Sequence, residues 1–334
     1  MPIRPDRRLV LAGLAGAALT GAPPASAAGD IQVVYGQWTD PDRKGRVVPY
    51  KLYLPAGGGA AATIVHSHGL GGTRDASTYI LEAVAKAGFA VAAIQHAGSD
   101  SGIWRGAGGL AALEAGQIKL DPDAAAQRFQ DLRFAVHALD GETASGPNAG
   151  RFDMSRLGMS GHSFGALSTL VAVGQALPAV PDDRFREPRI KAAIAYSPNK
   201  PRNQDAAQAL AGVHTPILHF TGTEDSTQLD LEKTPWERTL PYRVIQGADQ
   251  YLVVLHGGDH MIFSGRRLVE GRLKPSDPAQ MALVQAETVR FWRAYLDGDA
   301  AAMGELCTLP ERVRAEADGY VKATRCGAPT PLPG

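Results

Sequence analysis

The chain has 334 residues, and its 34 lysines and arginines balance its 34 aspartates and glutamates, so the formal net charge is zero. This balance, with no basic cluster outside the N-terminus, argues against a nucleic-acid partner. The length suits one large α/β domain with a sizeable core, and no repeat of a solenoid period is present.

The N-terminal 27 residues are predicted to be a signal peptide. A basic segment, an apolar run of small residues and the cleavage signal Ala25-Ser26-Ala27 follow one another in the order typical of exported chains. The apolar run is too short to cross a bilayer, which argues against a stable membrane anchor. Arg7-Arg8 favours export by the twin-arginine route, with the general secretory route as the alternative. We therefore expect a periplasmic or secreted protein.

Two loosely alternating runs, Ile31–Trp38 and Arg46–Leu54, predict antiparallel strands at the start of the mature chain. Pro49 marks the second run as an edge strand or a bulge, because proline donates no ladder hydrogen bond. Apolar strands and helices then alternate as far as a final helix at Ala279–Leu296, which Gly298 is expected to end. Such alternation predicts a mostly parallel sheet with helices on both faces, so residues 28–299 are assigned to one α/β domain.

The strand predicted at Thr63–Ser67 leads into the glycine-rich loop His68-Gly69-Leu70-Gly71-Gly72. Glycines let a backbone approach a substrate closely, and we expect the Leu70 N–H to be one donor of an oxyanion hole. A flexible loop and a phosphate-binding loop are the alternatives, although the chain has no Gly-Lys-Ser/Thr of a Walker site. Residues 102–119, which include Trp104, are predicted to be a loop or a small cap insertion.

Residues 161–165 read Gly161-His162-Ser163-Phe164-Gly165. A short apolar strand at Arg156–Ser160 precedes them, and a helix pattern of small residues at 166–173 follows. This order is the context of the Gly-x-Ser-x-Gly elbow, a strand-to-helix turn so tight that only glycine fits on either side of the serine. We predict that Ser163 is a nucleophile and that the Phe164 N–H is the other oxyanion donor. A glycine and serine turn that matches by chance is the alternative.

A nucleophilic serine needs a base and an orienting acid, which in this kind of site follow it along the chain, acid first. The strand at Thr215–Phe220 leads to Asp225, which we assign as the acid, with Glu224 and Asp259 as competitors. The strand at Tyr251–Leu255 leads to a loop with two histidines. We assign His260 as the base and keep His256, which lies nearer the strand, as its competitor.

Four side chains near these loops are candidates for the wall of a substrate pocket, with core packing as the alternative for each: Trp104, His162, Met261 and Phe263. We expect no metal and no organic cofactor. Cys307 and Cys326 lie in a predicted C-terminal tail, residues 300–334. Because an exported chain meets an oxidising compartment, we expect them to form a disulfide; without a neighbouring histidine pattern they do not make a zinc site.

Together these segments resemble one family. The 68–72 loop, the stretch Ala93–Asp100 and the elbow are similar to those of the platelet-activating-factor acetylhydrolase type II group and of bacterial predicted dienelactone hydrolases, in the α/β-hydrolase superfamily. The acid loop Thr221–Asp225 and the histidine loop Asp259–Gly265 also resemble that group. The likeness runs from about Ile64 to Leu296. It implies an α/β-hydrolase fold and ester cleavage by a serine-aspartate-histidine triad with two backbone oxyanion donors.

The sequence therefore predicts an exported serine hydrolase that acts on a small-molecule or lipid ester. Polyester depolymerase, lipase or peptidase activity on the same triad is the nearest alternative. A catalytically silent binding protein on the same scaffold is the alternative from another class, and the complete set of Ser163, Asp225 and His260 argues against it.

Overall fold

A computed structural model describes residues 30–104, 122–181, 184–226, 234–330 and 332. The predicted signal peptide at residues 1–27 and most of the predicted insertion at 102–119 lie outside these ranges. None of the helices within them combines the length and the apolar composition that a bilayer crossing needs.

A nine-stranded sheet forms the centre of the molecule, in the order β1-β2-β4-β3-β5-β6-β7-β8-β9. The strands are β1 Gln32–Asp40, β2 Arg46–Leu54, β3 Ala61–Ser67, β4 Ala90–Ile94, β5 Phe152–His162, β6 Ile190–Tyr196, β7 Ile217–Glu224, β8 Gln250–Asp259 and β9 Ala317–Lys322. The six strands from β4 across to β8 run parallel, whereas β2 and β9 are antiparallel to their neighbours. The predicted α/β class with a mostly parallel sheet is confirmed.

Helices connect most of these strands. They are α1 Thr78–Lys86, α2 Pro122–Ser145, α3 Phe164–Ala172, α4 Ala206–Leu210, α5 Leu240–Val244, α6 Arg266–Val269, α7 Asp277–Trp292, α8 Ala300–Cys307 and α9 Leu309–Arg312. A π-helical turn, Arg293–Asp297, extends α7. The chain then leaves the helix through Gly298, whose φ of 70° is in the left-handed region, and the predicted stop is confirmed.

The core lies on both faces of the sheet, because successive side chains of a strand point to opposite sides. On β4, Val91 and Ala93 pack in one cluster with α1 and α7, whereas Ala92 and Ile94 pack in another with α2 and α3. Helices therefore cover both faces, as predicted. The loops that follow the parallel strands consequently gather at one edge, where open parallel sheets bind their ligands.

Two features of the sheet differ from the sequence analysis. The edge strand is β1, and β2 lies inside it; Pro49 comes just before the segment Tyr50–Tyr53 that pairs with β4. The C-terminal segment, predicted as a tail, contains β9, which pairs with β8 and completes the sheet. The predicted disulfide between Cys307 and Cys326 is present and joins the end of α8 to the turn after β9.

Candidate active site

Ser163 occupies the tight turn between β5 and α3. Its φ of 56° and ψ of −116° are sparsely populated for a residue with a side chain, so the surrounding structure must hold it there. A Cβ on Gly161 would collide with the backbone of Gly165, and a Cβ on Gly165 would collide with the Ser67 carbonyl of β3. Only glycine therefore fits at these two positions, as the sequence predicts. The turn places the serine at the carboxyl edge of the sheet.

The loops after β7 and β8 bring Asp225 and His260 together. His260 Nδ1 lies 2.9 Å from Asp225 Oδ1 and 2.8 Å from the hydroxyl oxygen of Ser197, which follows β6. The carboxylate is completely buried. It accepts hydrogen bonds from Ser197 at 2.9 Å and from the Thr221 hydroxyl at 2.8 Å. This geometry assigns the proton of the imidazole to Nδ1 and leaves Nε2 able to accept one.

Asp225 stays ionised in spite of its burial. Burial by itself raises the pKa of a carboxyl group, but the hydrogen bond with His260 and the charge of Arg238 outweigh it and hold the pKa of Asp225 below its ordinary value. The Arg238 side chain is also completely buried, and its Nε lies 2.9 Å from Asp225 Oδ1. A buried ion pair at the oxygen that also contacts His260 therefore supports the acid.

The competing acids contact other cations. Glu224 is exposed, 3.3 Å from Lys274. Asp259 accepts two hydrogen bonds from Arg267, at 2.7 and 2.9 Å, and pairs with Lys274 at 2.8 Å. Of the three carboxylates, Asp225 is the one that the fold brings to the His260 ring.

The histidines of this region have different surroundings. His256 is exposed and pairs with Asp318 at 3.2 Å, on the far side of β8 from β7. His260 instead lies against His162, with 4.7 Å between ring centroids, and His162 Nε2 donates to the His260 carbonyl at 2.9 Å. Burial and the neighbouring His260 ring lower the pKa of His162 well below its ordinary value, so it remains neutral. His162, next to Ser163 in the chain, thereby ties the elbow to the histidine loop.

The hydroxyl of Ser163 has no hydrogen-bond partner among the residues that the structure describes, His260 included. Ser163 is 7% exposed and the His260 side chain is 12% exposed, so neither is completely shielded from solvent. Hydrogen bonds between a nucleophile and its base are often long in substrate-free enzymes and shorten when substrate binds.

The glycine-rich loop after β3 lies directly against the elbow. A Cβ added to Gly69 would lie 3.4 Å from Ser163 Cβ. Within the described ranges, neither the Leu70 N–H nor the Phe164 N–H donates to another protein atom. Phe164 is the first residue of α3, where backbone N–H groups lack partners within the helix. The Phe164 N–H, next to Ser163 in the chain, and the Leu70 N–H, in the loop packed against the elbow, are therefore both without a protein acceptor in the described part of the chain.

Trp104 covers the glycine-rich loop, and its indole N–H donates to the Gly71 carbonyl at 3.0 Å. Of the other pocket candidates, Met261 is partly exposed, whereas Phe263 is completely buried against Tyr196 and Phe220 in the larger core cluster. Phe263 is thus a core residue. Among the residues that the structure describes, no group of three or more histidine, cysteine, aspartate or glutamate side chains is placed to hold a metal ion.

Three polar residues of this region were missed in the sequence: Ser197, Arg238 and, beneath the glycine-rich loop, Arg128. Ser197 directly follows β6, and a polar residue at the carboxyl end of a parallel strand is the signal that pointed to Asp225 as well.

No protein-family model matches this chain, and no curated protein matches it either. The function must therefore be argued from these contacts.

Proposed function

We propose that this protein is an exported serine hydrolase with an α/β-hydrolase fold that cleaves carboxylic esters through an acyl-enzyme. The observation that carries the proposal is the Asp225-bound His260 ring, tied through His162 to a strained Ser163. The N–H groups of Leu70 and Phe164, which have no protein acceptor in the described residues, would supply the oxyanion donors. The resemblance to the acetylhydrolase group supports the same reaction.

The reaction follows from this geometry. His260 Nε2 takes the proton of the Ser163 hydroxyl as its oxygen attacks the ester carbonyl. The N–H groups of Leu70 and Phe164 then donate to the oxygen that becomes negative, and loss of one such donor typically costs ~10²–10³ in kcat. His260 returns the proton to the leaving alcohol. Water, deprotonated by the same imidazole, attacks the acyl-enzyme and releases the acid with Ser163 restored.

Asp225 and Ser197 maintain the base during these steps. The carboxylate accepts from His260 Nδ1 and stabilises the imidazolium that forms when Nε2 is protonated. Ser197 donates to the same carboxylate oxygen and fixes the plane in which the ring lies. The chemistry needs no group beyond these side chains and water.

Export is supported by two features. The first 27 residues have the order of a signal peptide. The Cys307–Cys326 disulfide fits an oxidising compartment, because cytosolic thiols are normally kept reduced. N-terminal sequencing of the protein from a periplasmic or culture fraction tests this part of the proposal; we expect Ala28 or Gly29 as the first residue.

The enzymatic proposal is tested by a fluorophosphonate probe and an ester panel of graded acyl length. We expect the probe to label wild type and to leave Ser163→Ala unlabelled, and we expect that variant to lose ester hydrolysis. Preference for acetyl esters supports the likeness to acetylhydrolases, whereas turnover of polymer films or peptides favours the other reactions of such a triad. A wild-type protein that the probe does not modify contradicts the proposal and favours a binding function.

A further inference from the structure

Arg128 of α2 is a charged residue in the core. Its side chain is completely buried. Its Nε donates to the Ser168 hydroxyl at 3.0 Å, one Nη donates to the Ser99 hydroxyl at 3.0 Å, and the other donates to the Ser67 hydroxyl at 2.9 Å and to the His68 carbonyl. In the described part of the chain no carboxylate lies within ion-pair distance of it.

The first group of these acceptors lies in and around the glycine-rich loop. Ser67 ends β3, and the His68 carbonyl comes two residues before the Leu70 N–H. Ser99 supports the same loop from outside, because its carbonyl accepts from the Gly71 N–H at 2.9 Å. Arg128 thus contacts the backbone before Leu70 directly, at the His68 carbonyl, and the backbone after Leu70 indirectly, through Ser99.

The second group belongs to the start of α3. Arg128 lies over the Phe164 ring, with its guanidinium carbon 4.6 Å from the ring centroid. Its partner Ser168 in turn donates to the Phe164 carbonyl at 2.8 Å. One planar fork therefore contacts the surroundings of both unpaired N–H groups, and only an arginine has donors in the directions that this requires.

The charge of this fork is not cancelled by direct contact. Burial lowers the pKa of Arg128 to about 9, so the group remains protonated at neutral pH. Asp131, one helical turn further along α2, contacts Arg43, Arg46 and His96 instead. Negative charge that develops on a substrate oxygen beside Ser163 would meet this positive environment in a largely buried site.

We propose that Arg128 is a positioning residue for the oxyanion hole, which holds the Leu70 and Phe164 N–H groups at the separation that the transition state needs. This inference rests on the proposed ester hydrolysis. The alternative is a purely structural role, in which Arg128 only satisfies buried hydroxyl and carbonyl groups.

Arg128→Lys tests the proposal, because lysine keeps the charge but not the fork. We expect kcat for p-nitrophenyl acetate to fall on the order of 10²-fold, comparable with the loss of one oxyanion donor, while KM changes by less than about threefold. The affinity for a trifluoromethyl ketone transition-state analogue should fall by the same factor as kcat. Active-site titration with the fluorophosphonate counts folded enzyme, so a stability loss is not mistaken for a catalytic one.

Arg133→Lys is the matched control, because Arg133 lies on the same helix and donates to the Arg184 carbonyl at the surface. It should keep wild-type kcat. If titrated Arg128→Lys also keeps kcat and analogue affinity within about twofold of wild type, the positioning role is wrong and the ester hydrolase remains. If wild type neither hydrolyses esters nor reacts with the probe at Ser163, the proposed function is wrong, and the inference about Arg128 is wrong with it.

Discussion

Two completely buried arginines lie near the candidate site, one at the glycine-rich loop and one at the acid loop, and they differ in whether a carboxylate pairs with them. Arg128, under the glycine-rich loop, donates to three hydroxyl groups and a carbonyl. Arg238, under the acid loop, pairs with the Asp225 carboxylate. On the acid side the guanidinium compensates a buried anion that is already present. Around the proposed oxyanion donors Leu70 and Phe164, the oxyanion side, the guanidinium donates only to neutral acceptors among the described residues.

Burial alone therefore does not assign a role to a charged side chain. A buried ion pair is costly to break from one end, because the remaining ion keeps its desolvation penalty without its partner. A guanidinium that contacts only neutral acceptors keeps its full charge and can attract negative charge that develops nearby. Substitution of Asp225 or Arg238 should therefore lower both folding stability and the activity of His260 as a base. Substitutions around Arg128 should mainly lower kcat.

The largest effect is expected for Asp225→Asn, which removes the anion between Arg238 and His260. The amide can present its N–H₂ to Nδ1 and hold the imidazole in the wrong tautomer, so kcat should fall by about 10⁴-fold, as in other triads. Steady-state hydrolysis of p-nitrophenyl acetate measures this. Glu224→Gln is the matched control, because Glu224 is exposed and pairs with Lys274, and it should retain activity. A variant at Asp225 with more than about a tenth of wild-type kcat would show that the acid is elsewhere.

The next effect is on stability. Arg238→Met leaves Asp225 buried without its cation, and we expect the free energy of unfolding at pH 7 to fall by about 3–5 kcal/mol. Because Arg238 helps to hold the pKa of Asp225 low, its removal raises that pKa. The deficit relative to wild type should therefore shrink as the pH falls and the carboxylate is protonated. Urea unfolding at pH 7 and at about pH 4, near the ordinary pKa of an aspartate, measures it, and an equal deficit at both pH values contradicts the compensation of charge described for this side.

The dependence of folding stability on acid pH tests the surroundings of Arg128. His66 of β3 is completely buried, and its burial, together with the charge of Arg128, lowers its pKa to about 3. The unfolded chain, with a histidine pKa of about 6.5, binds this proton first, so stability is lost as the pH falls from about 6.5 toward 3. One such histidine contributes a slope of about 1.4 kcal/mol per pH unit in that window. His66→Gln should reduce the measured slope by about this amount, whatever it does to stability at pH 7; an unchanged slope would mean that His66 takes up its proton in the folded state.

The sequence predicts the serine elbow better than it predicts the acid loop or β9. The elbow was predictable because its constraint is local: glycines at 161 and 165 are required by backbone contacts within and beside the same turn. The choice of Asp225 over Glu224 depended on which carboxylate the end of β7 turns inward, and only its fully buried hydrogen bonds decide that. The strand β9 was missed because its partner β8 precedes it by some sixty residues in the chain.

The sequence pattern of α2 contains a signal for the burial of Arg128. Leu132, Ala135 and Leu139 form the buried face of α2, and Arg128 lies one turn before Leu132 on that same face. A charge at a core position of an amphipathic helix indicates a buried polar partner. Which partner it finds was not predictable, because Ser67, Ser99 and Ser168 lie in three separate segments that only the folded sheet brings together.

Loss of a single hydroxyl group beside Asp225 or beside Arg128 should have the smallest effect on kcat. Ser197→Ala removes the hydroxyl that donates to Asp225 and contacts His260 Nδ1, and a lost hydrogen bond of about 1 kcal/mol corresponds to about fivefold in kcat. Ser168→Ala removes one of the four acceptors of Arg128, and because three remain, kcat should change by less than about twofold. Stopped-flow measurement of the acylation step on both variants resolves effects of this size. Equal losses would mean that the guanidinium fork depends on every acceptor, and that the oxyanion side is held as tightly as the acid side.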